Sequence, residues 1–183
     1  MITIEASAHI GATHPELSSS GLTRFLNRAR VAVGLHGEVD VLLADNSTLR
    51  RLNRSFRGKN KPTDVLSFPT PAEIGYAHAG DLAISLEMAA RHATTYGHTL
   101  RDEVRILLLH GLLHLAGEDH ETDDGEMATR EAALRRELRL PTTLIERVAK
   151  PNRSSLKPNN KARKAVKPRR ATQPTKPKPG RSA

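Results

Sequence analysis

The first 149 residues of this 183-residue chain predict one mixed domain that contains both helices and strands. Three observations support this prediction. Strand-like and helix-like apolar patterns alternate along the segment, one predicted helix is apolar on almost every side, and the length suits a single domain with one sizeable core. Residues 150–183 differ from this segment in both charge and composition.

Apolar periodicity predicts the first three elements. Alternating apolar residues at 2–6 predict an opening strand. Apolar residues recur at helical spacing from 22 to 33, and Gly34 is a residue type that often follows the end of a helix. The segment EVDVLLA at 38–44 is rich in aliphatic and β-branched residues and predicts a second strand.

Caps and prolines bound the next elements. Asp45 is a typical N-cap for a short helix. The apolar face of that helix is expected to consist of Leu49, Leu52 and Phe56. A third strand is predicted at 65–68, before two prolines, and a fourth at 81–85, which runs into a helix that ends near Gly97.

Residues 100–116 predict a helix in the middle of the domain. Thr99 is its expected cap, and two acidic residues in the first turn suit the positive end of the helix dipole. Beyond that turn, His110 and His114 are the main polar interruptions, and a helix with so little polar surface belongs in the core. A last helix is predicted after an acidic loop and ends near Leu140.

Charge is distributed unevenly. Of the 29 Lys and Arg residues, 12 lie between Lys150 and the C-terminus, where there is no Asp or Glu, so residues 1–149 carry 17 basic and 20 acidic residues. The tail, residues 150–183, has few large aliphatic side chains and is predicted to be disordered when unbound. It suits nonspecific contact with nucleic-acid phosphates, and a solubilising tail is the alternative.

Composition limits the kinds of site that the chain can hold. Cysteine is absent, so histidine and carboxylate side chains must bind any metal. No apolar run approaches the roughly 18 residues of a membrane span, and the N-terminus lacks the pattern of a signal peptide. We expect a soluble cytoplasmic protein without a membrane partner, and the oligomeric state stays open.

Residues 110–120, HGLLHLAGEDH, place three histidines at the spacing H-x3-H-x5-H. His110 and His114 share one helix face, and Gly117 can turn the chain so that His120 returns as a third ligand. Three neutral nitrogen ligands suit zinc and leave a fourth position for water, whose pKa a bound metal lowers. The pattern predicts a catalytic or substrate-binding metal site.

The same histidine spacing occurs in zinc proteases. In those enzymes a glutamate after the first histidine takes the proton of the attacking water. Here that position holds Gly111, which cannot accept a proton, so peptide hydrolysis by this route is disfavoured. We expect the small residue to leave room for a bulkier substrate.

Three motifs resemble one known family, the YbeY endoribonucleases, which are ribosomal RNA maturation factors. HGLLHLAGEDH matches the family's H-G-x-L-H-L-x-G-x-D-H at every fixed position. RLNRSFRGKNKPTDVLSFP at 51–69 resembles L-N-x-x-[FY]-R-x-K-[DN]-x-x-T-[DN]-V-L-S-F-P, and GDLAIS at 80–85 stands where the family has a G-D-[IL] strand. The resemblance covers most of residues 1–140 and does not include the tail.

The resemblance implies an α+β fold, with a small mixed four-stranded sheet packed on helices and a zincin-like central buried helix that carries two metal-binding histidines. It implies a zinc-dependent, single-strand-specific endoribonuclease acting on a ribosomal RNA precursor, in 16S rRNA 3′ end maturation and ribosome quality control with the small ribosomal subunit. One zinc ion would bind His110, His114 and His120, and His114 and Arg57 would be catalytic.

The charged residues around these motifs have predicted roles. A guanidinium can hold two oxygens of a phosphodiester as its negative charge grows, so Arg57 is the expected clamp. Lys59 and Lys61 are expected to contact backbone phosphates, with a solvated loop as the alternative. Asp119 is a candidate for orienting a ligand imidazole, or for stabilising its loop. The attacking group stays open between metal-bound water and a ribose 2′-hydroxyl.

Two other functions stay open. One is a zinc metalloprotease-like hydrolase, which Gly111 disfavours. The other is a noncatalytic ribosome-assembly factor, in which the metal stabilises the fold and the tail binds RNA. Incubation with single-stranded RNA and with an unfolded protein substrate separates the three possibilities.

Overall fold

The computed structural model describes residues 1–4, 16–71, 77–120 and 123–141. The five helices found there are α1 (Ser19–Val33), α2 (Asn46–Arg57), α3 (Leu86–Tyr96), α4 (Leu100–Leu115) and α5 (Glu126–Glu137). The strands are β1 (Ile2–Ile4), β2 (Glu38–Ala44), β3 (Val65–Pro69) and β4 (His78–Ser85). Within these residues, no helix combines the length and apolar composition needed to cross a membrane. The tail lies outside the described residues.

The strands form a mixed sheet in the order β1-β2-β4-β3. Strand β2 pairs in parallel with β1 and with β4, whereas β3 pairs with β4 in the antiparallel direction. Three longer strands make up most of the sheet, and the three-residue β1 extends it at one edge. Helices and strands therefore combine in an α+β fold.

Each face of the sheet supports its own apolar core. Leu82 and Ile84 of β4 belong to the larger core, to which α1, α3, α4 and α5 also contribute. Ala83 lies between them and points to the opposite face, where it forms a smaller core with Leu66 of β3 and Leu49 of α2. Helix α2 therefore covers one face of the sheet, and the other four helices lie on the opposite side.

Helix α4 occupies the centre of the larger core. It contacts α1, α3 and α5 as well as strands β3 and β4. Twelve of its sixteen residues are buried. Thr99 caps its first turn, because Thr99 Oγ1 accepts the backbone N–H of Asp102 at 3.1 Å. The predictions of a central apolar helix and of its cap are confirmed.

Some boundaries differ from those predicted. Strand β4 begins at His78 rather than residue 81 because the residues before Asp81 also pair with β2 and β3. Helix α5 ends at Glu137, although its apolar pattern continues to Leu140. Phe56, expected on the apolar face of α2, is 67% exposed. The opening strand is confirmed at Ile2–Ile4, and its predicted end at residue 6 lies outside the described residues.

Gly111 of α4 faces strand β4. A Cβ atom at this position would lie 2.7 Å from Leu82 Cδ2 and 3.1 Å from Leu82 Cδ1. Leu82 is itself buried in the core, so the space in front of Gly111 is filled. The expectation that Gly111 leaves room for substrate is therefore wrong. Its small size allows α4 to approach the sheet closely.

We predict that the stability effect of Gly111→Ala depends on Leu82. Overpacking costs about 1–3 kcal/mol and outweighs the roughly 1 kcal/mol that Ala gains over Gly inside a helix, so the single variant is expected to be less stable. In a Leu82→Ala background, the same change is expected to stabilise the protein by about 1 kcal/mol. Urea unfolding of all four proteins measures the coupling, and additive effects would contradict the packing of Gly111 on Leu82.

Candidate metal centre

Three histidine side chains converge at the C-terminal end of α4. The ring centroids of His110 and His114 are 4.7 Å apart, and each lies 5.2 Å from the centroid of His120. One nitrogen of each ring lies within 4.8 Å of the corresponding nitrogens of the other two. The structure therefore brings the three histidines together in a group that can hold a metal ion.

The end of α4 explains how His120 reaches this group. The helix ends at Leu115, and Gly117 has a φ of 88°, a left-handed conformation that favours glycine. The backbone N–H of Gly117 donates to the His114 carbonyl oxygen at 3.0 Å. This turn brings the following residues back toward the helix, as the glycine in the sequence predicted.

A buried carboxylate orients the first imidazole. Glu131 Oε2 lies 3.1 Å from His110 Nδ1, and both side chains are buried. The other carboxylate oxygen of Glu131 accepts a hydrogen bond from Arg135 Nη1 at 3.1 Å. Because Arg135 is a permanent cation, it favours the ionised form of Glu131, which accepts the Nδ1 proton of His110. Nε2 of His110 then keeps a free lone pair.

The nitrogen positions fit a shared ion. The Nε2 atoms of His110 and His114 lie 3.1 Å apart. Two nitrogens that bind one tetrahedral zinc ion at 2.0–2.1 Å are separated by about 3.3 Å, which is close to this distance. Nδ1 of His120 is buried and has no hydrogen-bond partner among the residues that the structure describes. A bound metal ion would satisfy a nitrogen of this kind.

The surroundings of His114 lower its pKa. Desolvation by burial is the largest cause, and the neighbouring His110 and His120 add to it. A hydrogen bond with the Glu118 backbone and the charge of Asp119 raise the pKa less strongly. His114 is therefore neutral at neutral pH, which is the form that binds a metal.

The predicted phosphate-binding residues lie at the C-terminal end of α2. Arg57 is the last residue of this helix, and Gly58 follows it with a φ of 67°. The side chains of Arg57, Lys59 and Lys61 are all exposed. Buried Asn53 donates its side-chain N–H to the Lys61 carbonyl oxygen at 2.7 Å, which fixes the path of the loop.

Strands β3 and β4 connect this loop to the end of α4. The Phe56 ring contacts the Phe68 ring edge to face, with centroids 4.9 Å apart. A Cβ atom on Gly80 would lie 2.4 Å from the Phe68 carbonyl oxygen and 2.8 Å from Leu115 Cδ2. The C-terminal ends of α2 and α4 therefore approach the same end of the β3–β4 pair. Among the described residues, no hydrogen bond or ion pair joins Arg57 to the three histidines.

Glu131 and Arg135 did not emerge from the sequence. They lie on the buried face of α5, together with Met127 and Leu134 at helical spacing. Charged residues are rarely buried unless they are paired. Two charged residues within an apolar stripe of a helix are therefore the sequence pattern that could have predicted a buried polar contact. The role predicted for Asp119 stays a prediction, and the contact with His110 comes from Glu131.

The fold and the site define an α+β protein with a three-histidine centre at the C-terminal end of its buried helix. The family model described as "Endoribonuclease YbeY" matches residues 6–139. An Endoribonuclease YbeY of Koribacter versatilis is 51% identical over 141 residues, which are 77% of this chain and 91% of the relative. Another, of Solibacter usitatus, is 48% identical over 132 residues, which are 72% and 87% of the two chains. The chain belongs to the YbeY family.

A protein of known solution structure is also similar. It comes from Thermotoga maritima and is 29% identical to this chain, with a TM-score of 0.49. The similarity covers 75% of this chain and 89% of that one.

We predict that Glu131→Gln weakens zinc binding by about 10- to 100-fold, because a neutral amide holds the His110 Nδ1 proton less strongly than a carboxylate. The same change removes the counter-charge of buried Arg135 and is expected to lower stability. Competition with a chromophoric chelator measures the zinc affinity, and urea unfolding measures the stability.

The double variant Glu131→Gln/Arg135→Met is the control for this experiment. It removes both buried charges and is expected to be more stable than Glu131→Gln while its zinc affinity stays low. If zinc affinity returns together with stability, Glu131 does not orient His110 for metal binding.

Proposed function

We propose that this chain is a metal-dependent endoribonuclease that cleaves single-stranded RNA during ribosomal RNA processing. The observation that carries the proposal is the convergence of His110, His114 and His120 in a chain of the YbeY family. Relatives that are 48–51% identical to this chain over 87–91% of their own length bear the name endoribonuclease. This supports the same activity here.

We propose zinc as the metal at the three histidines. Three imidazoles without cysteine suit zinc and leave a position for a further ligand. When bound, the ion supplies Lewis acidity that polarises a phosphoryl oxygen or lowers the pKa of an attacking hydroxyl. Glu131 keeps the proton of His110 on Nδ1, and burial keeps His114 neutral. Both effects present unprotonated nitrogens to the ion.

Arg57 is the proposed clamp on the reacting phosphodiester. Its side chain is exposed and makes no hydrogen bond or ion pair within the described part of the chain. A guanidinium can donate two parallel hydrogen bonds to phosphate oxygens, and it stabilises the negative charge that grows during cleavage. Lys59 and Lys61, on the loop that Asn53 fixes, are proposed to contact the neighbouring phosphates.

Peptide hydrolysis has less support. In zinc proteases of the same histidine spacing, the residue after the first histidine is a glutamate that takes a proton from water. Here this position is Gly111, and the space in front of it is occupied by Leu82. A general base therefore has no place at this position.

The finer assignments rest on family membership. We propose that the substrate is a ribosomal RNA precursor, that cleavage contributes to 16S rRNA 3′ end maturation, and that the small ribosomal subunit is a partner. Such a substrate places the activity in the cytoplasm. We also propose two functional parts, residues 1–149 for catalysis and residues 150–183, with 12 Lys and Arg, for RNA contact.

We predict that His114→Ala and metal chelation each abolish cleavage of single-stranded RNA. Arg57→Glu is expected to lower kcat/KM by about 100-fold or more, because a charge that stabilises the transition state is reversed. Arg24→Glu, which changes an exposed arginine on α1, is the matched control and is expected to retain activity. Gel assays with labelled RNA measure the rates, and analysis of the product ends distinguishes water from the ribose 2′-hydroxyl as nucleophile.

Three outcomes of this assay contradict the proposal. Cleavage that persists in both His114→Ala and the chelated sample indicates a contaminating nuclease. Hydrolysis of an unfolded protein without cleavage of RNA favours a protease instead. If neither substrate is cut, the noncatalytic assembly factor is favoured.

We predict that truncation after Ala149 weakens RNA binding while cleavage chemistry survives. Each lost phosphate contact is expected to lower the slope of log affinity against log salt by about 0.7 for a single strand. Binding titrations at several salt concentrations measure the slope. An unchanged slope would exclude the tail from RNA binding.

A further inference from the structure

The outward side of α2 is the most basic stretch of the first 149 residues. Residues 46–61 contain six Lys and Arg and no Asp or Glu, although residues 1–149 together carry more acidic than basic residues. Arg50, Arg54 and Arg57 follow one another at i, i+4 and i+7 and share one helix face. All three are exposed, and their side chains make no hydrogen bond or ion pair with the described residues.

Phe56, next to Arg57 in the chain, exposes an aromatic ring at the edge of this basic surface. Its side chain is 67% exposed, whereas Phe25 is buried and Phe68 is half-buried. The edge-to-face contact with Phe68, at 4.9 Å between centroids, supports the Phe56 ring from the strand side. The exposed ring is therefore accessible to the flat face of another aromatic group.

Single-stranded nucleic acid offers a chemical partner for both the exposed arginines and the exposed phenyl ring. Its phosphates pair with exposed cations, and its unstacked bases offer π-faces to aromatic rings. A double helix keeps its base faces inside the stack and has none to offer to Phe56. An acidic protein segment would satisfy the arginines, but it has no feature that requires an exposed phenyl ring beside them.

We infer that α2 and the loop after it form a single-strand RNA platform on which Phe56 stacks against a base. The α2 platform consists of Arg50, Arg54, Phe56, Arg57, Lys59 and Lys61. This inference rests on the proposed function and extends it, because it names the residue that selects single strands over duplexes. In this arrangement Arg57 clamps the reacting phosphate, and Arg50 and Arg54, about one to two helical turns earlier on the same face, hold the adjoining backbone.

The position of the platform agrees with this role. Phe68 lies beside Gly80, which Leu115 of α4 also approaches, so the platform ends near the turn of chain that carries the histidines. Asn53 fixes the loop from beneath, which keeps Lys61 in place before RNA arrives. A strand held on Phe56 is therefore directed toward the candidate metal centre.

A tryptophan at position 56 tests the stacking directly, because the chain contains no tryptophan. The full-length Phe56→Trp variant is titrated with a short single-stranded oligoribonucleotide, in EDTA so that the RNA stays intact. Stacking is expected to quench the fluorescence as RNA saturates, and a duplex of the same sequence is expected to quench it far less. Val31→Trp, at a position of α1 that is 74% exposed, is the matched control and is expected to show no quenching.

Affinities of further variants complete the test. Phe56→Ala is expected to weaken single-strand binding roughly tenfold without changing the salt dependence, and Phe56→Tyr is expected to restore binding. Arg54→Ala is expected to lower the slope of log affinity against log salt by about 0.7. Unchanged fluorescence of Phe56→Trp at saturation, or unchanged affinity of Phe56→Ala, overturns the inference.

These results do not depend on catalysis. A chain that cleaves RNA but shows no quenching keeps the proposed function and loses the platform. A chain that shows quenching but never cleaves RNA keeps the platform and loses the proposed activity.

Discussion

The close contact between Gly111 of α4 and Leu82 of β4 determines how the rest of the domain is arranged. A larger residue at position 111 would hold the helix away from the sheet, since even a Cβ atom added there would lie 2.7 Å from Leu82 Cδ2. With position 111 turned to the sheet, the preceding residue, His110, lies about 100° around the helix and faces α5. The same contact therefore packs the core and aims the first histidine at Glu131.

Burial of His110, Glu131 and Arg135 is one departure of the core from apolar packing. Charged side chains taken out of water are costly unless they are paired, and here the carboxylate oxygens of Glu131 contact His110 and Arg135. Three well-packed apolar side chains at these positions would give a similar free energy of unfolding. An orienting function for His110 explains why α5 keeps charges on its inner face.

The sheet separates the three histidines of the candidate metal centre from the basic surface of α2. On one side, α4 brings three imidazoles together, and burial keeps His114 neutral. On the other side, α2 exposes cations and one aromatic ring to solvent. The two sides come together at one end of β3 and β4, where Phe68 and Leu115 both approach Gly80. A single strand of RNA bound across that end would reach both sides, which is the arrangement that the proposed function requires.

Features that depend on residues near one another in the chain were determined by the sequence. These include the helix caps at Asp45 and Thr99, the turn at Gly117 and the histidine spacing, which the structure brings into one group. The tertiary structure decided which distant residues face each other. Packing between elements decides the Glu131–His110 contact, the filling of the space in front of Gly111 and the exposure of Phe56. Local periodicity predicts which face of a helix or strand is buried, but it does not predict which element packs against that face.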